Sequence, residues 1–107
     1  MPQYVVRLVH TADQCPMSNS KTRARLVAGA PELPKLAQKL GIKFVAGPLA
    51  LMTEHESLTV VEAEKIETIE EFIVQSGMIQ WNTAKISPAR PLADAMSHFD
   101  QSPPPLY

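Results

Sequence analysis

The sequence holds a single cysteine, Cys15, in 107 residues. One thiol cannot close an internal disulfide, and its isolation fits a reducing, cytoplasmic setting. No apolar run approaches the roughly 20 residues needed to span a bilayer, so no membrane partner is expected. An excess of one charge is missing too. Ten Lys and Arg face eleven Asp and Glu, a formal net charge of −1. That removes the simplest electrostatic reason to expect nucleic acid or an anionic surface as a partner. The opening, "MPQYVVRLVH", lacks the basic start and small-residue cleavage site of a signal peptide and reads better as a strand. No internal repeat occurs at solenoid period.

What is present is a globular composition, with 45% hydrophobic and 20% charged residues. The length suits one domain, placed at residues 1–99, followed by a proline-rich tail at 100–107. A domain this small buries a modest share of its surface, so a partner chain would help it.

Residues 4–10, "YVVRLVH", are rich in β-branched and aromatic side chains, as a strand requires. Leu26, Ala30, Leu33, Ala37 and Leu40 then recur at helical spacing. Asn19 or Ser20 is placed to cap this helix. Pro31 and Pro34 predict a break near Gly29–Ala30, with a second helix starting at Pro31. Gly41 is placed to end it. Strands follow at 42–52 and 57–64, joined by "TEHE". Gly47-Pro48 removes a ladder donor, which makes 42–52 an edge strand with a bulge. Ile66, Ile69, Phe72 and Ile73 mark one face of the next helix, where Thr68 and Glu71 have capping-box spacing and Gly77 is the stop. "MIQWNTAKI" (78–86) reads as the last strand. A turn and a short helix after Pro91 complete the domain.

This order is βαββαβ, the ferredoxin-like α+β motif. Right-handed crossovers then give a four-stranded antiparallel sheet ordered 4-1-3-2, with the helices on one face. Val5, Val6, Leu8 and Val9 are apolar on both faces of the first strand, as are Leu58, Val60 and Val61 on the third. Two helices cover one face only. A second copy is the simplest cover for the other; the C-terminal segment or a different partner are the alternatives. In element order, length and doubly apolar strands, residues 3–86 resemble the dimeric α+β barrel superfamily, which includes muconolactone isomerases, antibiotic-biosynthesis monooxygenases and chlorite-dismutase-type domains. The resemblance implies a homodimer with face-to-face sheets enclosing a cavity for a small organic ligand. It does not imply a single activity.

The topology gathers His10, Asp13, Cys15, Glu54, His55, Glu56, Gln80 and Trp81 at one rim. Three chemistries are open to them. His10 or His55 can move a proton for an organic substrate, as in an isomerase, lyase or oxygenase that requires no cofactor. His10, Cys15 and His55 can bind zinc or copper, with Asp13 or Glu54 completing the site. Cys15 can act as a nucleophile, although Pro16 follows it and no paired base is evident. The plain structural alternative is a polar turn, a buried filler thiol and a solvated hairpin tip, in a non-catalytic assembly or scaffold domain whose second sheet face serves assembly alone. Inside the sheet, Arg7 and Glu62 interrupt apolar strands. They are expected to pair with each other or to contact an anionic ligand in the dimer cavity, with Trp81 as a further substrate-binding candidate. Strand parity sets His10 on the face of Val6 and Leu8, away from Arg7.

Overall fold

The computed structural model describes residues 1–107 as an α+β fold. Strands β1 (Gln3–Val9), β2 (Lys43–Leu51), β3 (Glu56–Glu62) and β4 (Thr83–Ala89) form one antiparallel sheet in the order β2-β3-β1-β4. Read from the β4 edge, this order is 4-1-3-2. Helices α1 (Ser20–Gly29) and α2 (Leu33–Leu40) connect β1 to β2, α3 (Ile66–Gln75) connects β3 to β4, and α4 (Leu92–Met96) follows β4. No helix is long and apolar enough to cross a membrane.

The helices form where the side chains allow it. The Asn19 side chain accepts from the Thr22 amide at 3.0 Å and caps α1. The break falls where the prolines put it, but it is longer than the sequence suggests. Ala30–Glu32 form a 3-10 turn, and α2 begins at Leu33 rather than at Pro31. Pro34 lies in its first turn, where the missing N–H has no helical partner to lose. Gly41 ends α2 in the left-handed conformation (φ 77°). Helix α3 begins at Ile66, so Thr68 sits inside its first turn and the expected capping box does not form.

Tyr4 and Val6 of β1, Ile42 just before β2, Val61 of β3, Ala37 of α2, and Ile69 and Ile73 of α3 are buried together in the core. Phe44 of β2 meets Phe72 of α3 edge-on, with centroids 6.0 Å apart. The core therefore lies between the helices and one sheet face. Val5, Arg7 and Val9 point the other way, joined across the ladder by Leu58 and Val60. On β4 the partners on this second face are Thr83, Lys85 and Ser87. Along β1 and β3 it sets apolar Val5, Val9, Leu58 and Val60 around the charged Arg7 and Glu56, and it is polar along the β4 edge. The segment after β4 does not bury its own apolar residues: Leu92, Met96 and Phe99 are all exposed.

Strand β4 starts later than the sequence suggests. Met78–Gln80 make a 3-10 turn, and Trp81 and Asn82 precede the strand. The alternation of "MIQW" imitates a strand, but the left-handed Gly77 (φ 79°) turns the chain into a tight return. Strand β4 runs on instead through Pro88, which an edge strand tolerates because its free side needs no donor. Strand β2 is the opposite edge, and its register against β3 shifts between Phe44 and Leu49, around Gly47-Pro48.

Candidate metal centre

Three separate pieces of chain converge at the end of β1. The His10 amide continues the β1–β3 ladder by one bond, donating to the His55 carbonyl at 3.0 Å. His55 closes the β2–β3 hairpin after a 3-10 turn at Met52–Glu54. It is the one non-glycine residue with positive φ (54°), a left-handed conformation that costs an L-residue with a bulky side chain about 1–2 kcal/mol. The hairpin thus holds an imidazole where turn geometry favours glycine or asparagine.

Cys15 arrives on the loop between β1 and α1. That loop is tied down along its length. The Cys15 carbonyl accepts from the Ser18 and Asn19 amides at 2.9 and 2.8 Å. The Asn19 side-chain amide donates to the Asp13 carbonyl at 3.0 Å. Arg23 donates from Nε to the Pro16 carbonyl at 2.7 Å and from Nη2 to the Met17 carbonyl at 2.9 Å. Cys15 itself is buried and 6% exposed.

One donor atom from each of His10, Cys15 and His55 lies within 4.8 Å of the other two. A zinc or copper ion about 2.0–2.3 Å from nitrogen and sulfur holds such donors about 3.3–3.8 Å apart, so a small inward closure brings the three into range. Each of the two histidines also keeps one idle ring nitrogen. His10 Nε2 and His55 Nδ1 are both buried, and neither has a hydrogen-bond partner. A buried polar atom left unpaired costs about 1–3 kcal/mol, which makes two of them in neighbouring rings an unusual pair to keep.

The tautomer of His10 follows from its neighbour. The buried Asn82 donates from Nδ2 to the Met78 carbonyl at 3.1 Å. This orients Asn82 Oδ1 toward His10 Nδ1, 3.3 Å away. An amide oxygen can only accept, so this contact favours the tautomer with the proton on Nδ1 and a lone pair on the unpartnered Nε2. A second residue fixing the ring in this way is the usual support for a metal-bound histidine. The Trp81 ring lies 5.3 Å from His10, and the His55 ring meets His10 edge-on at 5.9 Å.

The rim expected from topology is thus resolved into two parts. His10, Cys15, His55 and Trp81 come together. Asp13 and Glu54 do not join the cluster, which corrects the expectation that one of them completes it. Asp13 is exposed and is held below the usual carboxylate range, chiefly by a hydrogen bond from Thr11 and then by its own backbone amide. Arg7 and Glu56 form a separate pair on the opposite face of the sheet. Arg7 Nη2 reaches both carboxylate oxygens of Glu56, at 3.1 and 2.9 Å. Glu62, the partner expected for Arg7, stands at the far end of β3 opposite Gln3 and Lys43. Glu56 wins because the diagonal across the ladder brings it beside Arg7.

Two open grooves border Trp81 on the helix side. One, of about 360 Å³, runs between Leu26, Ala30, Leu33 and Met78. The other, of about 250 Å³, is lined by Lys21, Thr22, Arg25 and Gln80. Neither is lined by His10, His55, Arg7 or Glu62.

Asn82 is the residue that sequence reasoning missed. Placed inside a strand, it had no role. Its signal was a lone amide side chain following Trp81 at the rim that His10 also reaches. No protein-family model and no curated protein matches the chain.

Proposed function

We propose that this protein binds a transition metal ion through His10, Cys15 and His55. The observation that carries the reading is that donor atoms of His10, Cys15 and His55 lie within 4.8 Å of one another, in two histidines that each keep a buried ring nitrogen without a partner and a buried thiol. Two imidazoles and a thiolate suit a borderline or soft ion such as zinc or copper, not a hard one such as magnesium or calcium. An ion would satisfy both nitrogens at once and account for a histidine held in the left-handed region. The proton-transfer reading of the same histidines has less support. A general base must come within hydrogen-bond reach of its substrate, and neither groove beside Trp81 is lined by His10 or His55.

The test is metal analysis of tag-free protein, as purified and after reconstitution with zinc or reduced copper. About one ion per chain is expected for the native protein, and a loss of most of it in Cys15→Ser and His10→Ala variants that stay folded by circular dichroism. A native protein that retains no ion above background after reconstitution would overturn the reading.

The second sheet face supports a companion proposal, a homodimer of the α+β barrel kind with the two sheets facing each other. A folded monomer of 11.8 kDa exposes about 5,900 Å². This chain exposes 7546 Å². The exposed tail contributes to the excess, and so does the sheet face that carries Val5, Val9, Leu58 and Val60. One partner in a standard interface loses about 800 Å², well within that excess. A small organic ligand between the sheets, near Arg7 or Glu62, belongs to the same proposal.

A further inference from the structure

The donor set favours one oxidation state of one metal. Resting on the metal-binding reading above, we infer that the centre is built for copper(I), held by three ligands as a neutral unit, rather than for zinc(II).

Three features point this way. The first is the donor number. The cluster holds one sulfur and two nitrogens, and the nearby carboxylates of Asp13 and Glu54 stay outside it. Protein zinc is nearly always four-coordinate; with three protein ligands it keeps a water or substrate in the fourth position. Copper(I), softer and singly charged, is satisfied by three donors in a plane. The second is charge. When a metal binds, the Cys15 thiol gives its proton to solvent. The thiolate then cancels the single charge of copper(I) and leaves the centre neutral. With zinc(II) the same ligands leave a net positive charge, and no acidic group of the cluster balances it. Buried charge without a partner is strongly disfavoured. The third is burial. Cys15 is 6% exposed, both free nitrogens are inaccessible to solvent, and the Trp81 ring stands beside His10. Such a pocket excludes the water that a three-ligand zinc requires, whereas copper(I) accepts a soft thiolate donor without one. No change of oxidation state is part of the inference; copper enters and stays as copper(I).

The experiment uses the full chain, reduced and free of oxygen. It is titrated with copper(I) in the presence of a colorimetric copper(I) chelator, and in parallel with zinc in the presence of a zinc indicator. Expected are one copper(I) per chain taken from the chelator, X-ray absorption showing three donors with one sulfur, and loss of zinc on desalting. Cys15→Ser should lose copper(I) retention, and Asp13→Asn should keep it. Zinc retained through desalting while copper(I) passes to the chelator would overturn the copper inference and leave the metal-binding reading intact. Four-coordinate copper(I) would also overturn it. Failure to retain either metal would remove both.

Discussion

At the residue scale, His55 separates binding from stability. Its backbone is left-handed and its Nδ1 is buried without a partner. Glycine accepts that backbone freely and leaves no orphaned nitrogen. His55→Gly should therefore leave the metal-free protein within about 1 kcal/mol of the native stability in urea denaturation, because relief of strain offsets lost packing. The same change should abolish metal retention. A histidine kept only to pack the hairpin would show the reverse, a clear loss of stability with metal retention unaltered. Asn82 acts one step away. Replacing it with leucine removes the acceptor that keeps the proton on His10 Nδ1. Metal affinity should fall about 10–100-fold in a competition titration. An unchanged affinity would mean that Asn82 does not orient the ring. Both histidines and Cys15 were legible in the sequence as a possible ligand set, because topology alone brings the strand end, the following loop and the hairpin together. That the two imidazoles would touch was not legible. It depends on His10 bonding to His55 across the ladder, a register the hairpin turn decides.

At the level of elements, the most constrained point is Gly47 on β2. Its φ is +82°, and a Cβ there would lie 2.6 Å from the Leu58 carbonyl oxygen and 2.9 Å from the Leu49 amide nitrogen. Both are backbone atoms that cannot rotate away. Gly47→Ala should cost about 2–4 kcal/mol in thermal or chemical unfolding, by strain and by forcing the β2–β3 pairing apart. A cost below about 0.5 kcal/mol would mean that the bulge adapts freely. The edge position and irregularity of β2 could be read from Gly47-Pro48, since a missing donor leaves few other places for that strand. The helix break could be read from Pro31 and Pro34 for the same kind of reason. The start of β4 could not. "MIQWNTAKI" carries strand-like alternation throughout, and only the tertiary return after Gly77 divides it into a turn and a strand. Short apolar stretches carry that ambiguity by nature. The difference matters, because Asn82 lies in that return, ahead of the strand.

For the whole molecule, the apolar second face of the sheet predicts self-association. Size exclusion with light scattering should give twice the chain mass at micromolar concentration. Val60→Lys places a charge in the middle of that face and should return the protein to a monomer with its circular dichroism intact. A native protein that is already monomeric would remove the companion proposal and leave the metal centre, which lies on the other parity of β1, untouched. Opposite parities also mean that the dimer variant should keep its metal. The most direct test of the central claim is anomalous diffraction at the metal edge from crystals of the loaded protein. A single peak is expected about 2.0–2.4 Å from His10 Nε2, His55 Nδ1 and Cys15 Sγ. A peak bound elsewhere, or none at this position in protein shown to carry the ion, would contradict it.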